Sequence, residues 1–432
     1  MAEGTSENIT ETIYDPGNVT IHACHLKHGD EVINLVGGLD EFIVTYSTLN
    51  NSASCKATIL DTQDILADID IDGSETIKLS WNSLDDDVIT DEFAVYRKET
   101  IVDKSQGGKG KVYVLHGFDI TNLKQMILDV NRSFTGQISE HVKTIFKEIG
   151  SEKEIEIHDT VGTSSLIIPG ETPFEAINRL CTFAFSSGHS SSLYQFYQSK
   201  KGYNFKNIER VIAEQRDTPH TYRYAPSALA EQSKTMLGKH SIIEIDFPIK
   251  KSLIEKLKHG SCASSVAEID IINQKIDVTN FNITENFDKF YHLDQPAITS
   301  DKKKIIEDSL SVINNTTWIN KYFDGQRHLD FSFGPQLTRR EYYGNALDQN
   351  EMVCTIHGNS SIDCGEVLYL SMLERSGRTE TPEQEKIISG NYLITSVTHI
   401  IKQNRYACNL ICNKESGRAN VTDLDNYIIG DK

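Results

Sequence analysis

The chain has 432 residues, 38% of them hydrophobic, with 17 Tyr, 17 Phe and a formal net charge of −19. That length suits about two to four domains with their own cores, and the aromatic content argues against disorder. The acidic balance disfavours non-specific adhesion to nucleic acid or anionic membranes, but not a surface that DNA slides past.

The opening Met1-Ala2-Glu3-Gly4-Thr5-Ser6-Glu7 has no basic or apolar leader pattern, so no secretory signal is expected. No apolar run approaches the roughly 18 residues of a membrane span. Of the eight cysteines, Cys408 and Cys412 share a predicted strand about 13 Å apart, beyond the roughly 7 Å reach of a disulfide. Cys354 and Cys364 flank a turn at Gly358-Asn359-Ser360-Ser361 and could face each other. Free thiols are the expectation for a chain made in cytoplasm, with later oxidation open to a particle that leaves the cell.

Residues 1–118 read as mostly β, with strand periodicity over 19–22, 42–46 and 55–59. Gly107-Gly108-Lys109-Gly110-Lys111 sits between two strand signals and reads as a hairpin loop, and the phosphate-loop spacing is absent. Residues 119–222 read as a small α/β domain. Ile138, Val142, Ile145 and Ile149 predict an amphipathic helix over 137–149. Thr172-Pro173-Phe174-Glu175 predicts a second helix with a capping box, its apolar face being Phe174, Ile177, Cys181 and Ala184. A strand over 193–197 and a turn at Lys201-Gly202 follow.

Residues 223–432 return to β. Ile243-Glu244-Ile245-Asp246-Phe247 predicts a strand, followed by a short helical stretch over 253–257. Residues 265–345 are polar and irregular and read as an insertion, and the tail after Ser416 reads as an extension.

One unit is written twice. Asp72-Gly73-Ser74-Glu75-Thr76-Ile77-Lys78-Leu79-Ser80 and Asp363-Cys364-Gly365-Glu366-Val367-Leu368-Tyr369-Leu370-Ser371 each place a turn, a glutamate and an alternating strand in succession. Phe93-Ala94-Val95-Tyr96-Arg97 and Lys111-Val112-Tyr113-Val114-Leu115 follow the first copy. Tyr392-Leu393-Ile394-Thr395-Ser396-Val397 and Arg405-Tyr406-Ala407-Cys408-Asn409-Leu410 follow the second. Glu75, Ile77, Leu79 and Glu366, Leu368, Leu370 are therefore expected in equivalent strands of two β-barrels, aliphatic side chains inward. The fold expected is α+β, mostly β, with two antiparallel barrels around a small α/β domain. Two similar barrels per chain suit a ring with twice as many barrels as subunits.

Sites of chemistry are sparse. Asp68-Ile69-Asp70-Ile71-Asp72-Gly73 starts like a calcium loop, but Leu79 stands where a bidentate glutamate is needed. A strand with one wet face is the plainer reading. His22-Ala23-Cys24-His25-Leu26-Lys27-His28 gathers zinc-type ligands without a second pair at finger spacing; His22 and Cys24 would share a strand face. Serine and cysteine nucleophile motifs and HExxH are absent. No catalytic, cofactor or metal residue is assigned, and an enzyme is not expected.

The run Ile388-Ser389-Gly390-Asn391-Tyr392-Leu393-Ile394-Thr395-Ser396-Val397-Thr398-His399 is preceded by Gly358-Asn359, Gly365-Glu366-Val367 and Leu370 and followed by Arg405-Tyr406 and Leu410. Together they resemble the closing segment of baseplate central hub proteins of contractile phage tails. Pro173-Phe174-Glu175-Ala176-Ile177, Tyr194-Gln195-Phe196-Tyr197 and Lys201-Gly202-Tyr203 resemble that family's α/β domain. The resemblance extends to the base of type VI secretion spike proteins. It implies tail-tube-like barrels and a homotrimeric, pseudo-sixfold ring joining a hexameric tail tube to a trimeric central spike. The further implied partners are the tape-measure protein and baseplate wedge proteins. DNA would pass through the axial channel without specific binding, and the chain would belong to the virion tail, assembled in host cytoplasm without membrane insertion. A hub of a secretion or injection machine is the alternative. A tail-associated peptidoglycan hydrolase and an adhesin are rivals of other classes.

Overall fold

In the computed structural model, residues 17–416 are described apart from 64, 68, 84–86, 103–110, 225–239, 251–262, 271–273, 295–315, 321, 324–325, 328–333, 375–382 and 385–387. Seven strands make the first unit: β1 (Val19–His28), β2 (Glu31–Asn34), β3 (Leu39–Ser47), β4 (Ser54–Asp61), β5 (Thr76–Ser83), β6 (Ile89–Val102) and β7 (Lys111–Asp119). They pair antiparallel in the order β2-β1-β5-β6-β7-β4-β3. Alternate side chains point inward, so Leu26, Phe42, Ile77, Leu79, Trp81 and Phe93 are all buried in one core.

The middle of the chain forms α1 (Ile120–Met126), β8 (Val130–Gly136), α2 (Ile138–Ile149), β9 (Ile155–Ile157), β10 (Ser164–Glu171), α3 (Pro173–Phe183), β11 (Tyr194–Ser199), β12 (Gly202–Asn207) and α4 (Ile208–Gln215). A second core gathers Val142, Ile145, Phe174, Ile177, Phe196 and Tyr203. Gly150 closes α2 at φ +64°, a left-handed cap that a side chain would strain. The capping box of α3 is formed, with the Thr172 N–H donating to Glu175 Oε2 at 3.0 Å. Its buried face includes Phe174, Ile177, Cys181 and Ala184.

The remainder supplies β13 (His220–Tyr224), β14 (Ile242–Lys250), β15 (Ala263–Asp270), β16 (Lys275–Asn282), β17 (Thr316–Asn320), α5 (Gly334–Leu347), β18 (Asn350–His357), β19 (Val367–Glu374), β20 (Gly390–Lys402) and β21 (Arg405–Lys414). The order β14-β18-β21-β20-β19 is antiparallel, and β13 adds to β19 in parallel. The two units are not separate bodies. β3 pairs with β20 from Ser47 opposite Ser396 to Glu41 opposite Lys402, which makes one continuous network of strands. The antiparallel sheets are therefore as expected, but the described pairings do not close either unit into a barrel. The edge of β3 that closure of the first unit would need is instead taken by β20 of the second, which satisfies the backbone groups there equally well.

Three local expectations differ. Within 265–345, the irregular reading gives way to β16-β15-β17, with β15 antiparallel to β16 and parallel to β17, and to α5, in which Tyr342, Tyr343 and Ala346 are buried. Sparse apolar residues hid this, because Val266, Ala267 and Phe281 bury where few side chains are needed. Residues 69–72 are not a strand and lead as irregular chain into the turn at Gly73. His22 does not share a face with Cys24, since a bulge between Ile21 and Ala23 turns it outward to Asn82 Oδ1 at 2.9 Å. Cys354 and Cys364 are both free and buried. The readings over 107–110, 253–257 and the tail after Ser416 fall outside the described residues.

Candidate functional site

The six residues expected in equivalent strands lie in two hairpins of one design. Glu75 folds back over its own turn and accepts from the N–H groups of Asp72 at 3.1 Å and Gly73 at 3.3 Å. Glu366 accepts from the Asp363 N–H at 2.9 Å. An imidazole completes each: His28 Nδ1 lies 2.9 Å from Glu75, and His220 Nε2 lies 2.9 Å from Glu366. Burial pushes both carboxyls up, and the turn N–H groups at Glu75 and His220 at Glu366 outweigh it, so both titrate below the usual carboxylate range.

The backbone repeats as well. The carbonyl of Glu75 accepts from the Val95 N–H at 2.8 Å, and that of Glu366 from the Ile394 N–H at 2.8 Å. Thr76 then faces Ala94 and Ile77 faces Phe93, as Val367 faces Leu393 and Leu368 faces Tyr392. Ile77, Leu79, Leu368 and Leu370 are fully buried. β6 bulges against β7 between Val95 and Arg97, and β20 bulges against β21 between Ile394 and Ser396, at the matched position.

Two further strands carry the repeat without a readable sequence signal. β3 bulges against β4 between Leu39 and Glu41, and β14 bulges against β18 between Ile242 and Glu244. The row Phe42, Ala57, Leu115 thereby matches the row Ile245, Cys354, Leu410. The copies part at one strand. β1 runs antiparallel to β5 and β13 runs parallel to β19, yet each delivers a histidine to the glutamate.

The join between units is polar at its start. Thr45 and Thr398 hydroxyls meet at 3.1 Å, and Ser396 Oγ donates to the Tyr46 carbonyl at 3.2 Å. Behind it lies an ion cluster that sequence reasoning missed. Lys153 Nζ sits 2.5 Å from Asp91 and 2.6 Å from Asp119. Tyr46 donates to Asp91, Tyr203 to Asp119 at 2.9 Å and Gln198 Nε2 to Asp119 at 2.9 Å. Burial pushes Asp91 up despite Lys153. At Asp119, burial is outweighed by Lys153 and the carboxyl stays low. The cluster bolts the first unit to the middle domain. Lys200, from the turn between β11 and β12, does the same for the second. Its Nζ donates to the carbonyls of Ser360, at 2.8 Å, and Ser361. Beside it, burial and the Glu366 charge push the Asp363 carboxyl up to about 7.

These groups hold strands and turns together. Among the described residues no cluster of three His, Cys, Asp or Glu could hold a metal, and no helix is long and apolar enough to cross a membrane. The seven described cysteines are free and buried, and burial pushes Cys24 up to about 12, which keeps its thiol protonated.

No family model and no curated protein matches the sequence. Solved structures do match in fold. The tail protein from Neisseria meningitidis MC58 aligns with a TM-score of 0.54 at 9% identity, over 91% of this chain and 96% of its own. The 43 kDa tail protein of prophage MuSo2 from Shewanella oneidensis aligns with a TM-score of 0.55 at 9% identity, over 91% and 98%. The chain has the fold of these tail proteins along nearly its whole length.

Proposed function

We propose that this chain is a structural protein of a phage tail and serves as its baseplate hub. In this reading it is a homotrimer whose two β-units per chain form a pseudo-sixfold ring. One side seats the hexameric tail tube and the other the trimeric central spike, with the end of the tape-measure protein and the wedge proteins as further partners. The observation that carries the reading is the pair of register-matched hairpins joined edge to edge within one tail-protein fold. A subunit that presents one design twice lets threefold symmetry meet sixfold symmetry. The net charge of −19 suits a conduit that DNA crosses without being held. The role is geometric, with no catalytic step.

Negative-stain class averages of the purified full-length chain, read with its native mass, test this. Rings of three chains with a central hole and apparent sixfold outline are expected. A monomer at every concentration tried, or a dimer, would overturn the ring.

A further inference from the structure

Because β3 matches β14 and β6 matches β20, the join inside the chain has a second, unmade counterpart. β3 is paired on both sides, by β4 and by β20. β14 pairs with β18 along its length, and on its other side the described contact is the bridge from Arg223 to Ser241 at its very start. Likewise β20 beyond its bulge lies between β21 and β3, whereas β6 beyond its bulge pairs with β7 and its partnership with β5 ends at Ala94. Among the described residues, two strand edges are therefore bare at the places where their copies are joined.

Exposure tells the same story. At the join, Thr395 and Ser396 are 7% and 8% exposed. The matched Tyr96 is 54% exposed, and the Arg97 side chain 64%. Ile101 and Ile243 are each 52% exposed on the two bare edges. Long unpaired edges carrying apolar side chains recruit another strand unless something covers them.

We infer that β14 of one chain pairs antiparallel with the outer half of β6 of a second copy, repeating the internal join. The internal register sets Ile400 opposite Ile43 and Ile401 opposite Phe42. Transferred through the matched bulges, it sets Ile101 opposite Asp246 and Val102 opposite Ile245. Each chain offers one β6 edge and one β14 edge, which are different surfaces, so the contact is head to tail and closes only as a ring. The inference rests on the ring-forming reading above and supplies its interface.

The test is a double variant of the full chain, Ile101→Cys with Asp246→Cys, under mild oxidation. Both positions are exposed, and the native described cysteines are buried. A ladder of covalent dimer and trimer is expected on a denaturing gel. The control pairs Ile101→Cys with Glu244→Cys, displaced about 6.6 Å along the strand, and is expected to cross-link at least 10-fold more slowly. Native mass is recorded for every variant. Rings that give no ladder, or equal ladders from both pairs, would overturn the register and leave the ring standing. A monomeric chain with no ladder would overturn both.

Discussion

Glu75 and Glu366 make the same contacts from opposite ends of the chain. Each accepts from the backbone N–H three residues before it, each takes a histidine at 2.9 Å, and each offers its carbonyl to the next strand at 2.8 Å. The residue is therefore a turn clamp used twice.

Replacing either clamp with alanine strands its turn. Glu75→Ala is expected to cost about 0.5–1.5 kcal/mol, because the N–H groups of Asp72 and Gly73 lose their acceptor in a turn that water can reach. Glu366→Ala should cost more, about 1–3 kcal/mol, since the Asp363 N–H that loses its acceptor belongs to a buried residue. Urea midpoints of the two variants decide the matter, and unchanged midpoints would remove the clamp role.

The matched inward positions can be tested in parallel. Leu79→Asp and Leu370→Asp should each cost several kcal/mol, since an unpaired carboxylate would sit in a fully buried place. Normal folding and assembly of either variant would disprove its inward placement.

Lys153→Met is expected to destabilise by about 3–5 kcal/mol at neutral pH, leaving Asp91 and Asp119 buried without their cation. The deficit should narrow in acid, where protonated carboxyls carry no charge. Thermal melts of both proteins from pH 7 to pH 4 measure this, and a deficit that stays constant would exclude the electrostatic account.

His399 gives a pH dependence of known sign. Burial holds its ring near a pKa of about 3, so the fold keeps it neutral while the unfolded chain protonates it near 6.5. Its contribution is complete above about pH 6.5 and is lost as pH falls towards 3, by about 1.4 kcal/mol per pH unit. Asp363 works in the opposite direction. Its folded pKa of about 7 means the native state takes up the proton first, so stability is lost as pH rises from about 4 to 7. A comparison of wild type with His399→Gln cancels the Asp363 contribution, which both proteins share. The stability advantage of wild type should shrink steadily between pH 6.5 and 4, and a constant difference would refute the assignment.

What could be read locally was read from short patterns. The alternation of Ile77 with Leu79 and of Leu368 with Leu370 marks strands, because one face of each must be dry. Thr172, Pro173 and Glu175 announce a helix start, because four orphan N–H groups there need acceptors. The bulges in β3 and β14 could not be read, since one extra residue leaves no mark in a short alternating pattern. Nor could the meeting of Lys153 with Asp91 and Asp119, three residues on separate elements in a chain with 62 acidic side chains.

A turn-and-strand unit written twice, around a helix-bearing middle in a mostly β chain, is legible in the order of residues alone. It took the folded chain to show that β3 takes β20 as its neighbour, that β13 runs parallel where β1 runs antiparallel, and that the outer edges of β6 and β14 are bare among the described residues. The reason is physical. Side-chain alternation says which face of a strand is buried, but backbone N–H and C=O groups are the same at every residue, so the choice of edge partner is made by the packing of the whole.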